Sequence, residues 1–435
     1  MDKVLLCILA GGCVAQVSAA GFLEDSKATL KMRNAYYNAD YLEGSNDVRE
    51  WGQAFRLDYL SGYTAGTIGV GIDLQGGLGI HLDGGRGHHP NNSTFSPSDS
   101  DGSSVGSWST GGALIKARFS KTEIRYGNTF EPALPILKAS DGRVTPQLFQ
   151  GGMVTSKDFD SFTFVAGQFD KAKGRASTNR TGLSVPGATA ESDDFTFAGV
   201  DWQATKNLTL QYYHARLEDF YNQDFWGLLH SFPIGDSQSF KTDLRYFKSD
   251  STGANGTGGY RFNNNGGFAK SPGEVDNVTW SAMFTYVLGG HQFTLGRQEV
   301  SDEGGFPYLN QGGLVNEGAG GSSFYLFTNQ MAGSFVRAGE KTNFGQYLYD
   351  FAASGVPGLK ASLTYLRGHQ IKATSGVGHD LNEWERNVRL DYVIQSGTFK
   401  GLGGTVRYAQ YHGSGTALQD QDQLRVFLNY SYSFF

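Results

Sequence analysis

The feature that most constrains this chain is a period-two alternation of apolar and polar side chains that returns along nearly its whole length. Residues 55–59 place Phe, Leu and Tyr on one face and Arg and Asp on the other. The same pattern recurs at residues 68–75, 113–119, 240–246 and 388–394. Successive side chains of a strand point to opposite faces, so each segment is predicted to be a strand with one apolar and one polar face.

Composition shows what kind of strands these are. The chain has 61 Gly, 31 Phe and 22 Tyr, yet only 39% of its residues are hydrophobic, which is low for a large soluble core. After residue 20, no segment approaches the roughly 18 consecutive apolar residues of a membrane-spanning helix. Strands that offer lipid only every second side chain keep mean hydropathy low. We therefore predict an all-β fold, a transmembrane antiparallel β-barrel.

The first 20 residues are predicted to be a cleaved secretory signal, because a lysine precedes a short apolar run and small residues lead into Gly21. Both cysteines, Cys7 and Cys13, fall in this segment, so no cysteine chemistry is expected in the mature protein. Residues 21–435 are predicted to form a single barrel domain. The expected location is the outer membrane of a Gram-negative bacterium.

Connections between the predicted strands alternate between short and long. A tight turn at residues 120–122 contrasts with polar stretches at residues 88–107, 171–192, 250–273 and 301–321. Outer-membrane barrels combine short periplasmic turns with long extracellular loops in this way. With roughly 20–25 residues for each strand and its connection, the chain has room for about 16 to 20 strands. A barrel of that size encloses a lumen that water can enter.

The alternation also predicts which charged side chains face the lumen, because an arginine facing lipid costs about 2–4 kcal/mol at the bilayer midplane. The basic candidates are Lys31, Arg33, Arg56, Lys116, Arg118, Lys241, Arg245, Arg389, Arg407 and Arg425. The acidic residues predicted to oppose them are Asp58, Asp73, Asp243 and Asp391. Two interpretations stay open: a row of cations that guides anions, or cross-strand ion pairs that only keep the interior wet and folded.

Six stretches, taken in order along the chain, resemble the OprD family of substrate-specific porins, the outer-membrane carboxylate channels of pseudomonads. They are GFLEDS from Gly21, LDYLSGYTAGTIGVGID from Leu57, GGALIKARFSKTEIRYGN from Gly111, GRVTPQLFQG from Gly142, SGVPGL from Ser354 and DYVIQSG from Asp391. The resemblance implies about 18 strands, with long extracellular loops folded into the lumen, in a monomer or a loose homotrimer.

The resemblance also implies a ladder of arginines and lysines down one wall of the pore. Position in the family and strand phase together favour Arg33, Arg56, Arg118, Arg389 and Arg407 as members of the ladder. Arg143, in DGRVTPQ, lies in a Pro- and Gly-bounded segment. In the family this loop folds into the barrel and its basic residue lines the narrowest point, although a surface position for Arg143 is the alternative.

These observations predict a porin for passive, substrate-selective uptake of small carboxylates. The stretch EWERNVRLDYVIQSGTFKGL from Glu383 resembles the branch that takes aromatic acids such as benzoate. The alternatives are a channel of the same family for basic amino acids or peptides, and a non-selective general porin. A hydrolase embedded in the barrel, a different class, is disfavoured because the histidines have no fixed partner spacing.

The expected partners are small anionic solutes and outer-membrane lipid or lipopolysaccharide. The formal net charge of −6 gives no general attraction to nucleic acid, so no nucleic-acid partner is expected. No catalytic residue, metal site or cofactor is predicted.

Overall fold

The computed structural model describes residues 21–84, 87–90, 93–235, 237–311, 323–378, 381–416 and 418–435. The signal predicted for residues 1–20 lies outside the described residues. The eighteen long strands are β1 (Lys27–Tyr41), β2 (Val48–Leu60), β3 (Ile68–Asp83), β4 (Ser107–Phe119), β5 (Thr122–Phe130), β6 (Leu148–Ser156), β7 (Phe162–Lys173), β8 (Phe195–Thr205), β9 (Leu208–Leu217), β10 (Tyr221–Pro233), β11 (Gln238–Ser251), β12 (Asp276–Leu288), β13 (His291–Val300), β14 (Lys341–Asp350), β15 (Leu359–Ile371), β16 (Leu381–Val393), β17 (Gly403–Ser414) and β18 (Gln421–Ser433).

The remaining regular structure is short. Ala133–Leu134 pairs with Leu137–Lys138, Leu183–Ser184 pairs with Asn310–Gln311, and single 3-10 turns span Asn264–Gly266 and Phe351–Ser354. Among the described residues, no helix is long and apolar enough to cross a membrane.

The long strands form one closed sheet. Each strand pairs antiparallel with the next along the chain, and β18 pairs with β1, where Tyr36 lies opposite Val426 and Met32 lies opposite Tyr430. Because the sheet is closed, the first and last strands also have a partner on each side. In the hydrocarbon core of a membrane, backbone hydrogen-bonding groups must be paired in this way. The closed barrel of 18 antiparallel strands confirms the predicted fold class and lies within the predicted range of strand number.

The two ends of the barrel differ. Connections at one end are short, such as residues 120–121 between β4 and β5 and residues 289–290 between β12 and β13. The long connections all lie at the other end and span residues 84–106, 131–147, 174–194, 252–275 and 301–340. By the asymmetry of outer-membrane barrels, the long-loop end faces the outside of the cell.

The outer surface of the wall carries large apolar side chains. Leu57, Ile68, Ile115, Leu295 and Leu363 are 48%, 60%, 59%, 69% and 56% exposed, and each belongs to the apolar face of its strand. A continuous exposed apolar surface of this kind is the lipid-facing belt of a membrane barrel. The alternation in the sequence therefore assigns the two faces of these strands correctly.

The long loops fill one side of the lumen, as the resemblance implied. Apolar loop side chains, including Leu137, Val185, Phe262 and Phe324, pack in one buried cluster with inward side chains of the wall. The wall side chains include Phe169, Phe195, Phe225 and Phe247. This side of the interior is packed like a protein core, so the candidate route for a solute is the opposite side, along β16–β18 and β1–β4.

Candidate translocation pathway

A cavity of about 280 Å³ remains in the lumen between loop 131–147 and the wall formed by β1–β4 and β18. The charged side chains that line it are Lys31, Arg33, Arg56, Glu131, Asp141 and Lys173. This cavity lies on the side of the lumen that the apolar loop cluster leaves open. It forms one part of the candidate pathway.

Loop 131–147 is held across the lumen by arginines of the wall. Arg33 donates to both carboxylate oxygens of Asp141, with Nη1–Oδ1 and Nη2–Oδ2 distances of 2.5 and 3.0 Å, and to the Arg143 carbonyl at 3.0 Å. Arg56 reaches Glu131, with Nη2 2.7 Å from Oε1. A bidentate contact between a guanidinium and a carboxylate fixes orientation as well as distance. Arg33 and Arg56 therefore anchor the loop that narrows the pore.

A second segment, residues 323–340 of loop 301–340, is fastened by acidic side chains of β16. The Glu385 carboxylate accepts the backbone N–H groups of residues 331–333 at 3.0, 3.1 and 2.6 Å. Glu383 binds the Arg337 guanidinium, and Arg425 donates to a carbonyl of the same segment at 2.6 Å. Several bonds to one buried carboxylate offset the cost of removing it from water. The segment is thus fixed close to β16 and β18.

Three arginines on adjacent strands lie directly opposite one another. Arg389 of β16 faces Arg407 of β17, and Arg407 faces Arg425 of β18. Strands of outer-membrane barrels tilt by about 35–45°, so a row across the sheet runs diagonally along the pore. Arg425 is close to the long-loop end of its strand, whereas Arg389 is close to the short-turn end of its own. The row therefore descends through the wall.

Charge compensation in this row is incomplete. Arg389 donates to Asp391, with Nε–Oδ2 and Nη2–Oδ1 distances of 2.7 and 2.8 Å. Within the described part of the chain, no ion pair is formed by Arg407 or Arg425. Like charges directly opposite one another destabilise a sheet. A passing anion would relieve this repulsion.

A cluster of basic side chains from two loops lies beside the long-loop end of the arginine row. The Tyr37 ring lies opposite Arg425 in the register, and the guanidinium carbons of Arg143 and Arg425 lie 4.5 and 5.5 Å from its centre. Arg175, from loop 174–194, is also buried, and this burial together with the charges of Arg143 and Arg425 holds the pKa of its guanidinium well below the usual value. An anion bound beside these guanidiniums would reduce the repulsion among them and favour their protonated forms.

The other predicted basic residues lie elsewhere in the lumen. Lys116 contacts Asp73, with Nζ 2.6 Å from Oδ1, and Arg118 stacks 4.2 Å from the centre of the Tyr63 ring, both near the short-turn end. Arg245 of β11 pairs with Asp243 at 2.5 Å. Arg245 also donates to the Tyr325 carbonyl at 2.9 Å. It therefore anchors loop 301–340 on the packed side of the lumen and is separate from the arginine row.

The acidic partners differ from the expected cross-strand pairs in one respect. Asp58, Asp243 and Asp391 each bind an arginine two residues away on their own strand, at Arg56, Arg245 and Arg389. Residues two apart share a face of the strand, and the long arginine side chain spans that distance. Cross-strand contacts do occur, between Lys31 and Asp58 at 2.8 Å and between Lys116 and Asp73.

One hydrogen-bond chain has the connectivity of a hydrolytic triad. His89 Nδ1 lies 2.6 Å from Glu50 Oε1, and His89 Nε2 lies 2.8 Å from Ser98 Oγ. The Glu50 carboxylate also accepts hydrogen bonds from Ser93 and Ser96. These contacts attach loop 84–106 to β2, and the convergence of several loop hydroxyls on Glu50 fits an anchor of that loop. No group of three or more metal-ligating side chains occurs among the described residues.

The sequence did not predict which loop residues lie beside the basic side chains of the wall. Asp141, which neutralises Arg33, lies 108 residues away from it. In the sequence, Lys173 and Arg175 are distinguished only as members of the polar stretch at residues 171–192. In the structure, Lys173 Nζ donates to the Gly174 carbonyl at 2.8 Å. The register between β6 and β7 shifts by one residue between Phe169 and Lys171, so the alternation of β7 does not extend unbroken to Lys173. For Arg175 and Asp141, nothing in the local pattern indicates the partner.

A closed barrel with an apolar outer belt, and with loops folded into a charged lumen, defines an outer-membrane channel. Comparison with known families is specific. Residues 20–434 match the family described as outer membrane porin, OprD family. The chain therefore belongs to the OprD family of outer-membrane porins. It is a channel protein of the outer membrane and not an enzyme.

Individual relatives cover almost the whole chain. Porin D of Pseudomonas aeruginosa is 32% identical, with 96% of this chain and 93% of Porin D covered. The crystal structure of Pseudomonas aeruginosa OccK8 (OprE) has a TM-score of 0.85 and 41% identity, and covers 95% of this chain and 100% of that one. The crystal structure of Pseudomonas aeruginosa OpdK with vanillate has a TM-score of 0.80 and 33% identity, with 95% and 100% covered.

Proposed function

We propose that this porin admits small carboxylates, with a preference for aromatic acids, by passive passage along the arginine row. The observation that supports the proposal is the direct opposition of Arg389, Arg407 and Arg425 on neighbouring strands. Such a row destabilises the sheet, so its presence favours a role other than stabilising the fold. A planar guanidinium fork matches a carboxylate, and successive sites of similar strength allow an anion to advance and to leave.

Two features favour an aromatic acid over other carboxylates. The guanidiniums of Arg143 and Arg425 lie 4.5 and 5.5 Å from the centre of the Tyr37 ring at the long-loop end of the row, which places an aromatic ring beside two guanidiniums. Arginines stack on aromatic faces, and so a substrate with both a ring and a carboxylate fits this combination. OpdK, a similar protein, has a crystal structure with vanillate.

Single-channel recording in a planar bilayer tests the proposal. The full-length mature protein is compared with the double variant Arg389→Ala/Arg407→Ala while benzoate, the amino acid arginine and a neutral sugar are added in turn. Arg216→Ala is the matched control, because Arg216 is a half-exposed arginine beside Glu218, at 3.8 Å, at the long-loop end of β9. We expect benzoate to alter the wild-type and control currents and to have a weaker effect on the double variant.

Other outcomes identify the alternatives. A stronger response to the amino acid arginine would indicate a channel for basic amino acids. A large pore that responds to none of the three solutes, and that the double substitution does not change, would indicate a non-selective porin. Either result would overturn the carboxylate proposal.

A further inference from the structure

The outer wall near the long-loop end of β15 and β16 carries two arginines that the pore does not use. Tyr365 lies opposite Arg386, and Arg367 lies opposite Trp384. Residues that face one another in a sheet share a face. Since Tyr365 belongs to the exposed outer surface, Arg386 points outward, and Arg367, two residues from Tyr365, does so as well. The two guanidiniums are diagonal neighbours on the lipid-facing side.

Neither arginine has a carboxylate partner in the described part of the chain. Arg386 donates from Nε to Gln410 Oε1 at 2.5 Å and lies 5.6 Å from the centre of the Trp384 ring. The nearest acid in the register, Asp422 beside Gln410, accepts hydrogen bonds from the Tyr408 hydroxyl at 2.7 Å and from Gln410 at 3.2 Å, and it forms no ion pair with Arg386. These two positive charges are therefore available to an anion from outside the protein.

Several other cationic side chains near the same end of the wall have an acidic partner. His214 lies 2.9 Å from Asp224, Lys248 lies 3.4 Å from Asp250, and Arg216 lies 3.8 Å from Glu218. On β13, the neighbouring Arg297 pairs with Glu299 at 2.7 Å. Arg367 and Arg386 thus differ from these four side chains, whereas Lys341 of β14 is like the two arginines in forming no ion pair among the described residues.

A groove of about 1040 Å³ lies on the same surface, and both arginines line it. Its floor is apolar and includes Leu295, Leu363 and Val388. Gly345 lies between Leu295 and Tyr365 in the register, so the missing side chain leaves a depression between two larger neighbours. A lipid acyl chain fits an apolar depression that faces hydrocarbon.

The height of this site matches the headgroup level of the membrane. Trp384 and Tyr365 lie directly opposite the two arginines on the neighbouring strand. Tryptophan and tyrosine are enriched at the boundary between lipid and water. An outward arginine is tolerated near the interface but is costly at the midplane. The long-loop end is extracellular in barrels of this kind, so the site opens to the outer leaflet.

We propose that this surface binds a phosphorylated, acylated lipid of the outer leaflet, the chemical class of lipopolysaccharide. A phosphate lies between the guanidiniums of Arg367 and Arg386, and an acyl chain occupies the groove beside Gly345. Guanidinium forks bind phosphate bidentately, and the charge-assisted contact is strong where water is scarce. The site is independent of the pore, because its side chains lie on the other face of the wall.

Native mass spectrometry of the delipidated full-length protein in micelles tests the proposal, with bisphosphorylated lipid A as the probe. We expect Arg367→Gln/Arg386→Gln to lower the affinity roughly tenfold or more, since two charge-assisted contacts are lost. The matched control is Arg216→Gln/Lys248→Gln, which removes two compensated cations from the same end of the wall and is expected to bind as wild type does. Gly345→Leu, which fills the groove, is expected to weaken binding while both arginines remain.

Three results would overturn the proposal. The first is equal affinity of the arginine double variant and the control. The second is equal binding of lipid A without its phosphates. The third is displacement of lipid A by inorganic phosphate at comparable concentration, which would show a site for free anions. The heat-dependent gel migration of folded barrels, together with unchanged single-channel conductance, verifies that each variant is folded and that the pore is intact.

Discussion

Arg407 is the residue at which the proposed passage of anions and the stability of the sheet make opposite demands. It lies between Arg389 and Arg425 in the register of β16–β18, and it forms no ion pair with any described residue. Repulsion among three cations on neighbouring strands lowers the stability of the sheet. Under the proposed function the same arrangement would serve conduction, because an anion could bind at each position without being trapped.

At this scale we predict that Arg407→Gln leaves the free energy of unfolding unchanged or raises it by about 0.2–1 kcal/mol, since cross-strand repulsion is removed. The same substitution should weaken the effect of carboxylates on the current. Urea unfolding of the protein in micelles and bilayer recording measure the two quantities. Arg425→Gln is the comparison, because it also removes the bond to the segment at residues 331–333 and should loosen that loop. A marked loss of stability in Arg407→Gln would contradict the prediction.

At the scale of elements, two loops fold into the lumen, and each is held by carboxylate contacts. Loop 131–147 depends on the contacts of Asp141 and Glu131 with wall arginines. Residues 323–340 depend on acids of β16 that accept backbone and guanidinium N–H groups. The positions of the two loops therefore depend on a few polar contacts between loop and wall, whereas the wall itself is held by its hydrogen-bonded ladder.

We predict that Asp141→Asn increases the single-channel conductance, because the bidentate contact that draws loop 131–147 toward β1 is lost. Asp141 is half exposed, so the cost to stability should be only about 1 kcal/mol. Hydrogen exchange of the amides of residues 139–147 should become faster. Asp160→Asn, which removes an exposed acid 3.5 Å from Lys121 at the short-turn end, is the control and should change neither measurement. Equal conductance of Asp141→Asn and wild type would exclude this role.

The second loop should respond to pH through Glu340. Burial and the neighbouring Glu383 carboxylate raise the pKa of Glu340 well above its usual value, although Arg337 acts in the opposite direction. A raised pKa means that the folded loop holds a proton that the released loop gives up. The stabilisation is therefore complete at acidic pH and is lost as the pH rises through the raised pKa.

We accordingly predict that residues 323–340 exchange their amide hydrogens faster at mildly alkaline than at mildly acidic pH, after correction for intrinsic exchange. In Glu340→Gln the new side chain is neutral at every pH, so this difference in exchange rate should disappear. Glu303→Gln, in the same loop but partly exposed, should behave like the wild type. A pH difference that persists in Glu340→Gln would assign the effect to another group.

At the scale of the whole molecule, the net charge and the pathway charge have opposite signs. The chain carries a formal net charge of −6, yet arginines from β16–β18 and from two loops converge on the open side of the lumen. A narrow passage between low-dielectric walls focuses the field of its own lining. Selectivity should therefore follow the lining, not the total charge.

We predict that the pore selects anions over cations at low ionic strength and that the preference declines in concentrated salt. The Debye length falls from about 10 Å at 0.1 M to about 3 Å at 1 M, so the arginines act over a shorter range. Reversal potentials in potassium chloride gradients measure this preference directly. The Arg389→Ala/Arg407→Ala variant should show a smaller preference at low salt. Cation selectivity of the wild-type pore would contradict the prediction.

The sequence by itself determined the class of fold and the face of most wall residues. Side chains alternate with a period of two, and an arginine cannot face lipid cheaply, so Arg56, Arg389 and Arg407 could be assigned to the lumen from local pattern alone. The number of strands followed approximately from chain length. Each of these properties depends on residues close together in the chain, which is why periodicity reaches them.

Only the tertiary structure decided which charges act together. The opposition of Arg407 and Arg425 depends on the register between β17 and β18, and the neutralisation of Arg33 depends on Asp141 in a loop 108 residues away. The same is true of Arg367 and Arg386, whose lack of a carboxylate partner among the described residues appears only when their neighbours on other strands are known. Cross-strand register and loop packing are set by contacts between distant parts of the chain, and a local pattern carries no record of them.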